Sequence, residues 1–183
     1  MSDTSRTRLP GDLPVAEDVA RMIRVDHAGE YGAARIYAGQ LAVLGRSSKA
    51  DLLQHMKEQE QVHLDTFAHL LGERRVRPTV MLPFWHVAGF ALGAVTAALG
   101  ERAAMACTVA VEEAIDEHYA AQAETLGADE PQLKDTIERF RAEELEHRDI
   151  GIAHDAQGTP GYRFLYAAIR AGCKVAIRVS ERI

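Results

Sequence analysis

Two stretches of this chain place charged side chains where a helix would ordinarily bury leucine. Leu53, Met56, Glu60, His63, Phe67 and Leu70 recur at alternating spacings of three and four, as do Leu133, Ile137, Phe140, Glu144 and His147. That spacing marks one face of an α-helix. Each stripe therefore carries an inward-facing Glu-x-x-His within an apolar series. Burying unpaired carboxylates is very costly, so the two stripes must fold against groups that neutralise them.

The helices before them carry matching stripes. Ile23, His27, Glu30, Ala34, Tyr37, Leu41 and Leu44 share one face, with Glu30 as its central carboxylate. Met105, Val109, Glu112, Asp116, Tyr119, Ala123 and Leu126 share another, with Glu112 at the equivalent place. Glu30 and Glu60 are about equally far from the turn at Gly45, and Glu112 and Glu144 from that at Gly127. At a rise of about 1.5 Å per residue, two antiparallel hairpins bring each pair level. Four carboxylates and two imidazoles then meet in one place.

That donor set suits two iron ions. Two adjacent cations repel and need anionic ligands, some of them shared. Four carboxylates balance the charge of two divalent ions, and each histidine adds one nitrogen ligand. The i,i+3 spacing points Glu and His the same way from one helix. Ferritin-like di-iron proteins use this pattern: one Glu from each of two helices and Glu-x-x-His from each of two others. A single Glu-x-x-His is common on solvated helix faces, and Glu143, Glu146, Glu58 and Lys57 read as such surface charges. Glu143 with His147, and Glu113 beside Glu112, offer an alternative register. The apolar residues of the Glu144 and Glu112 stripes favour the first. Asp26 and Asp116, each four residues from a stripe carboxylate, are candidates to hold the second nitrogen of a ligating histidine, or to form surface ion pairs. His27 and Tyr119 lie on the ligand stripes and either line a substrate pocket or belong to the core.

The remaining sequence fits an all-α chain. It has 183 residues, suited to one domain, and is 47% hydrophobic with few aromatics. Helices are expected from about Val15 or Ala16 to Leu44, from a cap at Ser47 or Ser48 to about Leu71 or Glu73, from about Glu101 to just before Gly127, from about Glu130 to Asp155 with Asp129 as its cap, and from about Tyr162 to Ser180. The domain spans 15–183, and 1–14 reads as a flexible arm. A net charge of −6 without a basic stripe argues against nucleic acid. Cys107 and Cys173 are far apart in apolar helical stretches and read as buried thiols. The opening residues lack the apolar run of a secretory signal, and Asp3 and Asp12 make a poor transit peptide.

Residues 78–100 contain no Asp, Glu, Lys or Arg. The segment is long enough to be considered as a membrane span, yet Pro83, His86 and Gly89-x-x-x-Gly93 interrupt it. We read it as an interfacial helix with Phe84 and Trp85 at headgroup level. A glycine-faced helix contact and a fully buried core helix are the alternatives. The sixth helix, with Leu165, Ile169, Val175 and Val179, extends the same apolar surface.

The stretches "RVDHAGEYGAARIYAGQLAVLGR", "RVRPTVMLPFWHVAGFALGA", "ACTVAVEEAIDEHY", "FRAEELEHRDIGIAHDA" and "AGCKVAIRVSERI" resemble the demethoxyubiquinone hydroxylase family, the di-iron monooxygenases of ubiquinone biosynthesis. The resemblance runs from about Ala20 to Ile183. It implies iron ligands at Glu30, Glu60, His63, Glu112, Glu144 and His147, the six positions already reached from the stripes. It also implies a polyprenyl benzoquinone or quinol lacking one ring hydroxyl as substrate, O₂ as oxidant and NADH as reductant. It implies a peripheral membrane protein that can meet lipid-binding or ubiquinone-biosynthesis partner proteins. The leader-free start leans toward the cytoplasmic face of a bacterial inner membrane, with the matrix side of the mitochondrial inner membrane as the alternative. No Gly-x-Gly-x-x-Gly follows a strand, so the nucleotide has no Rossmann site. A ferritin-like iron-oxidising or peroxide-scavenging protein is the competing reading, but neither cysteine has the spacing of a Cys₄ electron site.

Overall fold

A computed structural model describes residues 10–183. Met1–Leu9, most of the expected arm, lie outside the described residues. Among the described residues there are six α-helices and no strand: α1 Val15–Leu44, α2 Ala50–Arg74, α3 Leu82–Ala98, α4 Glu101–Leu126, α5 Pro131–Ala153 and α6 Tyr162–Ser180, with one 3₁₀ turn at Ala156–Gly158. The α1/α2 and α4/α5 hairpins form a ferritin-like four-helix bundle, with α3 laid along α1 and α6 along α4.

The helix ends differ in detail from the sequence reading. Helix α2 starts after Lys49, and Ser47 instead accepts a bond from the Lys49 backbone N–H at 3.1 Å. Helix α5 starts at Pro131 with Glu130 in the cap position. The Glu130 carboxylate is not spent on its own helix end, because it accepts two bonds from Arg74 at 2.8 and 2.9 Å. That pair ties the start of α5 to the end of α2. On α2 the last buried leucine is Leu71, and Leu70 packs at the edge.

One apolar cluster lies toward the Phe67–Phe140 end of the bundle, with Ile23, Tyr119 and Ile137. Another lies toward the other end, with Tyr37, Leu53, Met56, Met105 and Val109. The six stripe residues sit between them.

Helix α3 corrects one alternative: it is not a buried core helix. Its glycine face packs on α1 so closely that a Cβ on Gly93 would lie 1.9 Å from the Ile36 carbonyl oxygen, and one on Gly39 2.1 Å from that of Phe90. Its other face leaves Phe84, Val87 and Val95 more than half exposed. No helix among the described residues is long and apolar enough to cross a membrane. Both cysteines are free thiols, Cys107 buried and Cys173 half-buried.

Candidate metal centre

Glu30, Glu60, His63, Glu112, Glu144 and His147 are each at most 1% exposed, and they converge. Ligand atoms of Glu30, Glu60, His63 and Glu144 all lie within 4.8 Å of one another, as do those of Glu60, Glu112, Glu144 and His147. Glu60 and Glu144 belong to both groups, and each of the other four to one.

The polar atoms facing this space lack partners. Glu30 Oε2, Glu112 Oε2, both oxygens of Glu60, both of Glu144, and the Nδ1 atoms of His63 and His147 are buried without a hydrogen bond. His63 Nδ1 lies 3.0 Å from Glu144 Oε1, and His147 Nδ1 3.2 Å from Glu60 Oε1, neither aligned as a hydrogen bond. Native interiors rarely leave so many buried acceptors unsatisfied together. The atoms that point outward from the cluster are all held. His63 Nε2 pairs with Glu143 Oε2 at 2.7 Å, and His147 Nε2 with Gln59 Oε1 at 3.0 Å. A ring whose Nε2–H donates outward presents the Nδ1 lone pair inward. Tyr37 donates to Glu112 Oε1 at 2.7 Å, and Tyr119 donates to Glu30 Oε1. The donor set therefore fits two cations: eight inward atoms are free, and their outer neighbours are fixed.

Protonation reflects the crowding. Burial first, then Glu144 and Glu30, raises the Glu60 carboxyl well above the usual carboxylate range. Burial, Glu144 and Glu60 do the same to Glu112. Burial alone would lower His63, but the adjoining Glu144 and Glu30 carboxylates more than offset it and raise the ring to about 12. Burial would raise Glu144, but the His147 and His63 rings hold it at about 2. Without metal, the cluster stores protons in place of cations.

The other singled-out residues fall elsewhere. Asp26 and Asp116 do not hold the ligand histidines. Asp116 accepts from Arg141 at 2.6 Å, and Asp26 is buried beside His118 and Gln122. Glu143 is more than a surface charge, since it fixes His63. Glu113 faces α6, bonded to Tyr166 and Arg170. His27 is buried with Nδ1 unpartnered, burial lowers its pKa, and it lines neither cavity. Gln59 and the role of Tyr37 were not read from the sequence. A signal for Tyr37 existed: it follows Glu30 by seven residues, as Tyr119 follows Glu112.

An apolar cavity of about 450 Å³ lies between α1, α3, α4 and α6, lined in part by the helices that carry Glu30 and Glu112. Small residues on α1, Gly29 and Gly32, open it, and Ile36, Val111, Leu165 and Gly172 line it. Gly29 precedes Glu30 and Val111 precedes Glu112, so the cavity shares α1 and α4 with those two carboxylates.

Comparison with known proteins fits this geometry. The chain is 60% identical over 98% of its length to the 3-demethoxyubiquinol 3-hydroxylase of Rhodospirillum rubrum, covering 85% of that protein. It is 57% identical over 90% of its length to the human mitochondrial NADPH-dependent 3-demethoxyubiquinone 3-hydroxylase, covering 78% of it. It is 42% identical over 89% of its length to the yeast mitochondrial 5-demethoxyubiquinone hydroxylase, covering 77% of it. The family described as Ubiquinone biosynthesis protein COQ7 matches residues 17–180, nearly every residue of the bundle, and the chain belongs to that family.

Proposed function

We propose that this chain is a di-iron monooxygenase that hydroxylates the ring of a demethoxyubiquinol in ubiquinone biosynthesis. The observation that carries it is the buried set of eight partnerless ligand atoms beside an apolar cavity, in a chain closely similar to demethoxyubiquinol hydroxylases.

Glu60 and Glu144, with both oxygens free and a place in both groups, would serve both cation sites. Glu30 with His63, and Glu112 with His147, would complete one ion each. The tyrosine bond on one oxygen of Glu30 and of Glu112 leaves the other oxygen to bind. When bound, the iron pair supplies O₂ activation for insertion of one oxygen into an electron-rich ring. The chain's own residues do the rest. The cavity takes the polyprenyl tail by apolar contact and shuts water out behind the ring. A ring held near Gly29 and Val111 would lie against the two helices that carry Glu30 and Glu112.

The exposed faces of α3 and α6, with Phe84, Val87, Phe164 and Val175, suit a peripheral seat on a membrane surface, where a tail can pass from bilayer to cavity. The same face can dock a lipid-carrying partner of the ubiquinone pathway. The electron source is a reduced nicotinamide nucleotide. The human relative's name specifies NADPH, the sequence resemblance specifies NADH, and assays with each nucleotide decide between them.

The test is turnover of a polyprenyl demethoxyubiquinol under ¹⁸O₂ by the iron-loaded protein. One labelled oxygen in the ring is expected. Unlabelled or unchanged quinol refutes the proposal. Gly172 lines the cavity with open space around it, so Gly172→Phe should raise KM for the polyprenyl quinol several-fold while iron content stays unchanged.

A further inference from the structure

Hydroxylation of a ring C–H balances as ring–H + O₂ + two electrons + two protons → ring–OH + H₂O. The nicotinamide nucleotide supplies the electrons. The protons must reach a cluster whose ligands are at most 1% exposed. The cavity beside it is lined mainly by aliphatic side chains and glycines, which carry no protons.

A second, smaller cavity of about 120 Å³ opens where α1 and α4 meet the end of the chain, lined by Arg21, Val25, His118, Gln122 and Glu181 among others. His118 stands in its wall with its side chain 15% exposed, and its Nε2 lies 3.2 Å from Asp26 Oδ1. Gln122 Nε2 lies 2.7 Å from the same Asp26 oxygen and 2.8 Å from His118 Nε2. Asp26 is 2% exposed, and its Oδ2 is buried without a partner. Asp26 is one turn before Glu30 on α1, so the two share a face. His118 directly precedes Tyr119, which donates to Glu30. One bonded group, His118, Gln122 and Asp26, thus runs inward from the surface cavity and ends one helical turn from Glu30.

We propose that His118 and Asp26 carry protons from this surface cavity to the metal centre, with Gln122 holding the imidazole against the carboxylate. This rests on the hydroxylase reading above. Protonated Nε2 donates to Asp26, and deprotonated Nε2 accepts from the Gln122 amide, so the ring is held in both states. In the transfer, the His118 Nε2–H bond breaks and an Asp26 Oδ1–H bond forms, and imidazolium plus carboxylate becomes a neutral pair. Burial, which raises the Asp26 carboxyl above its ordinary range, makes that acid form accessible. Rotation of the carboxyl group turns the proton toward the cluster, where the two protons of a turnover end in the water that is formed; the Asp26 O–H bond breaks, the carboxylate is restored, and His118 recharges from solvent. Two passages serve one turnover.

The test uses the full-length, iron-loaded protein with His118→Ala. Its kcat should fall about 100-fold or more, the scale of a lost proton-transfer group, with quinol KM and iron per chain unchanged. Added imidazole should restore kcat, and substituted imidazoles should do so in the order of their acidities. A merely structural role would not respond in this way. Asp26→Asn should be equally slow, keep its iron, show an enlarged solvent deuterium effect and resist rescue. Infrared spectra without substrate give a readout independent of turnover: the carboxylate band of the resting Asp26–His118 pair, present in wild type, shifted in His118→Ala and absent from Asp26→Asn. Wild-type rates in His118→Ala, loss without imidazole rescue, loss of iron, or a carboxylate band unchanged by either substitution overturns the relay. An inactive wild type overturns the hydroxylase reading itself, and the relay with it.

Discussion

Tyr37 and Tyr119 make the same bond in opposite directions. Tyr37 on α1 donates to Glu112 on α4, and Tyr119 on α4 donates to Glu30 on α1. Each fixes one carboxylate oxygen so that the other faces the cluster. Tyr37→Phe and Tyr119→Phe should therefore each weaken iron binding by about 10- to 100-fold, the usual scale for removing an outer partner of a ligand. Competition with a chelator measures it, and unchanged affinity would mean that the hydroxyls merely fill the core. Glu143→Ala should loosen His63 in the same way yet still allow two irons per chain at saturation. The six inward residues were legible because a helical stripe shows its own face. Glu143 and Gln59 were not, because their roles depend on α2 and α5 facing each other, across sequence separations of 80 and 88 residues. From its own helix, Glu143 looks like one more solvated charge.

At the scale of the element, α3 is fixed by glycine. Gly93→Ala puts a methyl group against the Ile36 carbonyl, and backbone cannot yield as a side chain can. Overpacking of this kind costs about 1–3 kcal/mol. Thermal or urea unfolding should show Gly93→Ala clearly destabilised. Gly72→Ala, in a helix with open space around it, should be neutral or stabilising by up to about 1 kcal/mol. Equal effects at both sites would contradict the close α1–α3 contact. The Gly89-x-x-x-Gly93 spacing and the charge-free run were readable in the sequence, but which helix would receive the glycine face was not. Nor were the caps of α2 and α5: Ser47, Ser48 and Asp129 all suit the role, and tertiary pairing of Glu130 with Arg74 decided where α5 is tied.

For the molecule as a whole, the bundle encloses charge that only cations or protons can balance. Glu60 and Glu112 have raised pKa values in the metal-free fold, so the stability they permit is fully present below the ordinary carboxyl range and is lost as pH rises through those raised values. The contribution of the His63 ring, raised to about 12, is full below the ordinary imidazole value and declines from there until pH reaches about 12. The contribution of Glu144, held at about 2, is full above the ordinary carboxyl range and is lost as pH falls from there through about 2. The metal-free protein should therefore melt at lower temperature as pH rises from about 5 to about 8, while the iron-loaded protein changes little. Loading with Fe²⁺ should release protons, which an unbuffered indicator assay records. The most direct measurement is iron per chain after anaerobic Fe²⁺ loading and desalting, with wild type and Glu144→Ala side by side. The account predicts about two irons in wild type and clearly fewer in the variant, since Glu144 serves both groups. No retained iron in wild type, or equal iron in the two proteins, would contradict it.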